Sequence, residues 1–300
     1  MPNAVVLSAF GPPEVLRWAR VPLPEPAEGQ IRIKVAAAGV GPTDLDLRSG
    51  RLKAFPLEPD AVLGFEVAGT VDAVGPGVTG TFVGDDVAAL LFGLGGYAEY
   101  ALASIWTPKP APVSFVDAAA LPSSAEAAAG VLRQLGVTAG ETLLLLGGGG
   151  SVGVIATQLA VAQGVKVISA VGARDDALAA RLGATPVRYG PGLVAEVRRA
   201  GGVQAVFDAA GRGALADAVE LAGGPERVIT LSDPAAADFG VTLSHPSPDR
   251  APGALAETMA MLADGRLVMR ERMTLPMAQA ARAHRLLESG EVRRRIVLTL

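Results

Sequence analysis

The rhythm of apolar and polar positions changes soon after residue 105. Before it, short apolar runs are broken by proline and glycine, and Ala4–Phe10, Val15–Val21, Gln30–Gly39, Glu66–Val74, Asp86–Leu91 and Tyr97–Leu102 read as strands. Val67, Gly69, Val71 and Ala73 alternate with other side chains, as the wall of a barrel does. The pattern predicts a distorted antiparallel barrel. Beyond Pro108-Lys109-Pro110-Ala111-Pro112, Asp117–Ala120 and Ala125–Gln134 are alanine-rich and helical. Strands and helices then alternate: strand Thr142–Leu146, helix Val152–Gln163, strand Lys166–Ala170, helix Asp176–Leu182, strand Pro186–Tyr189, helix Leu193–Ala200, strand Ala205–Asp208, helix Ala214–Leu221, strand Arg227–Leu231. That order predicts a parallel sheet with helices on both faces, an α/β architecture. A loose stretch, Asp233–Ala251, precedes helices Ala254–Asp264 and Met277–Ser289 and a last strand, Arg295–Leu300. No internal repeat is visible.

One run carries chemistry directly. Leu143–Leu146 is a buried-strand pattern, Gly148-x-Gly150-x-x-Gly153 follows it, and an apolar helix begins at once. Strand, glycine turn and helix in this order form the front half of a dinucleotide-binding unit. The glycines let a pyrophosphate approach the backbone, and the helix start at Ser151 and Val152 offers free amides and a positive dipole end.

Composition narrows the rest. The 300 residues are 50% hydrophobic and 19% charged, enough for two packed domains and too apolar for long disordered tails. The net charge of −4 carries no clustered basic surface, so no nucleic-acid partner is expected. The chain has no cysteine, hence no disulfide and no thiolate metal site. MPNAVVLSAFG lacks the features of a signal peptide, and the apolar runs are too short to span a bilayer, so a cytoplasmic protein without membrane contact is expected.

Taken in order, several segments resemble the medium-chain dehydrogenase/reductase superfamily, and within it the zinc-free quinone oxidoreductases. Ala38-Gly39-Val40-Gly41-Pro42-Thr43-Asp44 with Arg48-Ser49-Gly50 is similar to the family's GVNPxDxxxRxG, Gly64–Val71 with Val74-Gly75 to GxExAGxVxxVG, and Val83–Val87 to the GDxV turn. Phe207-Asp208-Ala209-Ala210-Gly211 is similar to the VxDxxG strand end. Residues 281–290 with Ile296-Val297-Leu298 are similar to the family's C-terminal tail. The resemblance implies a Rossmann doubly wound parallel sheet plus a GroES-like distorted β-barrel. The catalytic domain would be residues 1–115 and 268–300, the NADPH-binding domain 116–267, and the active site the cleft. It also implies a homodimer formed through the cofactor-domain sheet.

Zinc-dependent relatives carry cysteine and histidine where this chain has Gly41 and Phe65, and neither can ligate. The two histidines, His245 and His284, read as loop and packing residues, so no metal is expected. Substrates would then be quinones, enones and similar polarised double bonds. The strand after the glycine turn ends in small residues and Gly172, followed by Arg174, which suits a ribose 2′-phosphate. Asp175 and Asp176 read as helix caps. Tyr189 stands where the family places a tyrosine near that phosphate or the adenine, and NADPH is expected over NADH. Ala209, Ala210 and Gly211 would pass beneath the nicotinamide ribose, and Leu231, Ser232 and Asp233 follow the next strand. Relatives often have asparagine at the Gly41 position and tyrosine at the Asp46 position. The family's nicotinamide-contacting threonine falls near Glu126. Asp46, Glu126 and Thr43 are therefore the candidate catalytic residues. Against this, Asp46 can sit on a solvated turn and Glu126 can pair with an arginine. Asp44 reads as the cap of the turn that follows, Ser123 and Ser124 as substrate contacts or caps, and Glu66 as a partner of Arg48. The readings to separate are an NADPH-dependent quinone or enone reductase, a natural-product tailoring reductase of the same fold, and a non-catalytic NADPH-binding sensor. Pocket shape is assigned to loops such as Ser49–Asp60 and Asp233–Ala251.

Overall fold

The computed structural model describes residues 1–52 and 60–300, so most of the Ser49–Asp60 loop lies outside the described residues. In chain order the structure runs β1 (Asn3–Leu7), β2 (Leu16–Arg20), β3 (Ile31–Val40), α1 (Pro42–Ser49), β4 (Ala61–Val62), β5 (Glu66–Val74), β6 (Asp86–Leu90), β7 (Tyr100–Ala103), β8 (Ile105–Pro108) and α2 (Phe115–Ala119). It continues with α3 (Pro122–Leu135), β9 (Thr142–Leu146), α4 (Ser151–Ala162), β10 (Lys166–Ala170), α5 (Asp176–Arg181), β11 (Ala184–Val187), α6 (Leu193–Arg199), β12 (Ala205–Asp208), α7 (Leu215–Ala222), β13 (Val228–Thr230) and β14 (Thr242–Leu243). The chain closes with α8 (Ala254–Ala263), β15 (Arg272–Pro276), α9 (Ala280–Ser289) and β16 (Arg295–Thr299).

The chain forms two compact units. The first comprises residues 1–123, 255–266 and 271–300. Its main sheet has strand order β15-β16-β3-β5-β6-β8, with β7 also on β3, and every pairing is antiparallel except β15 with β16. A small sheet, β2-β1-β4, accompanies it. Inward positions such as Ile31, Ile33, Val67 and Ile296 are fully buried, which the period-2 alternation dictates. The central strands approach closely at Gly69, where a Cβ would stand 2.1 Å from the Lys34 carbonyl oxygen.

The second unit comprises residues 124–254 and 267–270. Its six parallel strands lie in the order β11-β10-β9-β12-β13-β14. The first strand of this sheet in the chain, β9, therefore sits in the middle, flanked by β10 and β12, and the order turns back at that point. Leu143, Leu144, Leu145 and Leu146 are all completely buried, because a parallel strand has helices on both faces. Each contributes about 1.5–3 kcal/mol of burial. The helix after β9 is buried almost all round, through Val154, Ile155, Ala156, Leu159 and Ala160.

The expected α/β class and the Rossmann order are found. Several boundaries differ. The strand expected at Pro186–Tyr189 is Ala184–Val187, leaving Tyr189 beyond its end, because Pro186 in this edge strand still pairs with Ser169. Strands β8 and β15 were not expected from the pattern: Ile105–Pro108 and Arg272–Pro276 are both short and both end in proline. The loose stretch Asp233–Ala251 holds a 3₁₀ turn, Ala236–Phe239, and the short edge strand β14.

The Gly69 approach gives a direct check. Gly69→Ala is expected to lower stability by about 1–3 kcal/mol, measured as the urea unfolding midpoint; an unchanged midpoint would refute the packing described for β3 and β5.

Candidate active site

The glycine turn between β9 and α4 is built from contacts that no side chain permits. Gly147 has φ +91°, and the Gly150 amide donates to the Gly147 carbonyl at 2.9 Å. A Cβ on Gly153 would lie 2.3 Å from the Gly147 oxygen, one on Gly148 would lie 1.7 Å from Ser169 Oγ, and one on Gly149 would lie 2.6 Å from an Asp175 carboxylate oxygen. The chain is thus folded onto itself so that the amides of Ser151, Val152 and Gly153 open the helix without carbonyl partners four residues back. This is an anion cradle by geometry. Ser169 is 1% exposed, and its hydroxyl has no hydrogen-bond partner among the described residues. An orphaned donor against a cradle that a Cβ would fill fits a bound dinucleotide.

The neighbouring strand ends converge on the same sheet edge. Asp208, 1% exposed, closes the turn after β12 by accepting from the amides of Ala210 at 2.9 Å and Gly211 at 3.0 Å, and from Thr230 Oγ1 at 2.8 Å. Thr230 in turn accepts from the amides of Ser232 and Asp233, and Asp233 accepts from the Gly213 amide at 2.9 Å. These bonds lock two turns together, so Ala209, Ala210, Gly211, Leu231 and Ser232 are neighbours. Gly211 is left-handed at φ +57°, and a Cβ there would strike Ser232 Oγ at 2.4 Å. Sequence reading named the turn residues but missed Thr230 and the structural role of Asp233. The signal available was a threonine ending β13 beside a strand that ends in aspartate.

At the end of β10, Gly172 and Arg174 are exposed on a short 3₁₀ turn. Asp175 and Asp176 were expected to cap α5, and the structure corrects that: the N-cap residue Asp175 makes no side-chain cap bond. Asp175 pairs with Arg270 at 3.4 Å, and Asp176 makes a two-point ion pair with Arg188. Guanidinium partners within reach outcompete the weaker cap bond. The Tyr189 hydroxyl is buried next to the Gly147 backbone amide. Burial, and then the nearby Asp208 carboxylate, push its pKa above the ordinary tyrosine range.

Thr43 is exposed on the first turn of α1, and Asp46 pairs with Arg51 at 2.7 Å. Glu126, on α3, is buried with both carboxylate oxygens accepting from Arg250, which also donates to Ser244 Oγ at 2.9 Å. Gly130 makes room for that arginine, since a Cβ would stand 2.5 Å from Arg250 Cγ. Proton transfer through Glu126 would first have to break this pair. Ser124 is buried. The Ser123 amide donates to Glu66 at 2.8 Å, and its hydroxyl is buried without a partner among the described residues.

The Glu66–Arg48 pairing is corrected. Glu66 pairs with Arg295, the first residue of β16, while Arg48 reaches from α1 to Glu288 on α9 at 2.8 Å. The sheet explains this: β16 and β5 flank β3, and Gly39 between them has no Cβ to block Glu66, which approaches within 2.1 Å of that position. Asp44 sits next to this pair, 2% exposed, accepting from the Gly41 amide at 2.8 Å; it caps α1 from within its first turn. Burial pushes the Asp44 carboxyl up to about 6, although the Gly41 amide and Arg295 oppose the shift. Tyr97 faces Asp44, and its hydroxyl lies 3.3 Å from His284 Nε2. Burial, with Arg48 nearby, holds His284 neutral by lowering its pKa to about 3. Gly41 and Phe65 offer no metal-ligating atom, and no group of three or more His, Cys, Asp or Glu side chains is placed to hold a metal among the described residues.

Together a 3-2-1-4-5-6 parallel sheet with an anion cradle at its central strand and a separate antiparallel unit define a two-part, Rossmann-type protein. Residues 27–111 match the alcohol dehydrogenase GroES-like domain, and residues 182–298 match the family described as zinc-binding dehydrogenase. A quinone oxidoreductase from Sus scrofa is 39% identical over 58% of this chain and 54% of its own length. A 2-methylene-furan-3-one reductase from Solanum lycopersicum is 37% identical over 50% of this chain and 42% of its own. The chain thus spans about half the length of the curated relatives it matches. The solved structure of a mycobacterial protein complexed with NADPH aligns over 100% of both chains with 30% identity and a TM-score of 0.84. The chain belongs to the medium-chain dehydrogenase/reductase superfamily. Among the described residues no helix is long and apolar enough to cross a membrane.

Two outcomes follow. Asp44 is held at about 6 against 3.8 unfolded, so the native state binds the extra proton between these values and stability falls as pH rises from about 4 to about 6. The loss is roughly 3 kcal/mol, and Asp44→Asn should remove that slope from urea titrations at a series of pH values; an identical slope in the variant would contradict it. Glu126→Gln leaves a buried guanidinium uncompensated and should cost about 3 kcal/mol of unfolding free energy; wild-type stability would refute the structural role.

Proposed function

We propose that the protein is a reductase that uses NADPH to deliver hydride, without a metal, to a quinone or an activated carbon–carbon double bond. The observation that carries this is the cradle at Gly147–Gly153, shaped so closely that only glycine fits and lined by amides without internal partners. A dihydronicotinamide bound there supplies the hydride.

The chain's own residues do the positioning. The amides of Ser151, Val152 and Gly153 hold the diphosphate, and Gly148 and Gly150 keep the approach open. Gly172, Arg174 and Tyr189 receive the adenosine end, with the Arg174 guanidinium suited to the 2′-phosphate. The interlocked turns carrying Ala209, Ala210, Gly211, Leu231 and Ser232 hold the nicotinamide ribose, and the Asp208–Thr230 bonds fix their geometry. Holding donor and acceptor in line is the main source of rate in such a reaction. Asp46 and Glu126 are each committed to an arginine and are left out of the proton transfers. Metal independence is supported by the side chains at 41 and 65, which cannot ligate. The match to a quinone oxidoreductase and to a furanone reductase supports the two acceptor classes.

The test is steady-state turnover of 9,10-phenanthrenequinone and of a panel of enones with NADPH and NADH, after metal removal by chelation. Turnover with NADPH exceeding that with NADH by about tenfold or more in kcat/KM is expected, undiminished by the chelator. NADPH binding without turnover of any acceptor would favour the sensor reading, and an NADH preference would overturn the cofactor assignment.

A further inference from the structure

Two buried donors of the first unit stand on either oxygen of one carboxylate and have nothing to donate to. Glu66, at the start of β5, is buried and spends its oxygens on two segments. Its Oε1 accepts from Arg295 Nη2 on β16, and its Oε2 accepts from the Ser123 amide, in the first turn of α3, at 2.8 Å. One glutamate thus holds Ser123 and Arg295 side by side. The Ser123 hydroxyl is buried without a hydrogen-bond partner among the described residues. So is Nε of Arg295, whose side chain is 9% exposed. Each buried donor left unpaired costs about 1–3 kcal/mol. Two such donors on adjacent side chains call for an acceptor that the chain itself does not supply.

A space lies beside them. At Gly41 a Cβ would meet nothing nearer than Arg295 Nη1 at 3.5 Å and Asp44 Oδ2 at 3.7 Å. Gly41 is half-buried and the next two residues, Pro42 and Thr43, are exposed, so the position is reachable from solvent. The surrounding charges select the class of acceptor. Arg295 is neutralised by Glu66, and Asp44 adds a carboxyl that burial raises to about 6, still ionised at neutral pH. With no positive charge to spare, the space disfavours a carboxylate or a phosphate. An uncharged carbonyl oxygen accepts from the same donors without that repulsion.

We infer that Ser123 is a catalytic residue whose hydroxyl, with the Arg295 guanidinium, donates to the carbonyl oxygen of the acceptor in the space beside Gly41. The inference rests on the reductase reading above and narrows it to uncharged carbonyl acceptors. As hydride forms the new C–H bond at the electron-poor carbon, with oxidation of the dihydronicotinamide, the π electrons shift onto that oxygen. The two donors hold the developing charge, and a proton from water completes the product.

The full chain tests this with two readouts. One is the absorption band of 4-(dimethylamino)cinnamaldehyde, which moves to the red when its aldehyde oxygen accepts hydrogen bonds. The other is kcat for 2-cyclohexenone with NADPH. Ser123→Ala keeps the amide that Glu66 holds. It should therefore retain at least the wild-type melting temperature, lose the red shift seen with the wild type, and lower kcat about a hundredfold. Ser123→Thr should restore both readouts. Cyclohexanone should compete with the enone better than cyclohexanecarboxylate does. A hydroxyl that only caps α3 would give the reverse, a lower melting temperature with band and kcat unchanged, and that result overturns the inference. Wild-type behaviour of Ser123→Ala throughout, or stronger competition by the carboxylate, also overturns it, and the reductase reading stands in each case. A wild-type chain that reduces no enone or quinone overturns that reading, and the inference with it.

Discussion

The structure depends most on the close approach of two backbone segments, Gly147–Gly148 and Gly153. With 2.3 Å between the Gly147 oxygen and the position of a Gly153 Cβ, the helix can start only where it does. That contact fixes the direction of α4 and aims its free amides past the end of β9. The central place of β9 in the sheet follows from four leucines that tolerate no exposure. The cradle is thus rigid because its strand is fully buried from Leu143 to Leu146 and its turn has no room to relax.

A second theme is the pairing of carboxylates with arginines. Glu126 pairs with Arg250, Glu66 with Arg295, Glu288 with Arg48, Asp175 with Arg270 and Asp176 with Arg188, so each of these carboxylates is held by a guanidinium. The two buried pairs, Glu126 with Arg250 and Glu66 with Arg295, stabilise little in net terms, yet losing one partner is costly, so they enforce one arrangement of the segments that they join. In the first unit the Glu66–Arg295 pair and Asp44 tie the start of β5, the start of β16 and the first turn of α1 together. In the second, Arg250 fastens the irregular stretch before α8 onto α3 through Glu126 and Ser244, with Gly130 giving it space. Among the buried side-chain atoms without a partner, Ser169 Oγ is the one that lies against the glycine turn.

Much of this was legible in the chain. The leucine run, the spacing of Gly148, Gly150 and Gly153, and the alternation of strands with helices specify the parallel sheet, because burial on both faces and close turns leave few other solutions. The turn residues 209–211 and 231–232 were placed through the strand ends that carry them. What could not be read are pairings between residues far apart in sequence. The partner of Glu66 is 229 residues away on a strand that reaches it only because Gly39 leaves a gap. The sequence reading had paired Glu66 with Arg48 instead. The same limit misassigned Asp175 and Asp176 as caps, since their arginines come from Arg270 and from the end of a neighbouring strand.

The most direct test of the central claim is hydrogen–deuterium exchange resolved to single amides, with and without saturating NADPH. If the diphosphate rests on the start of α4, the amides of Ser151, Val152 and Gly153 should slow markedly on binding, while those of β9, already buried, stay unchanged. Protection confined to other loops, or exchange at these three amides that NADPH leaves unaltered, would contradict the account.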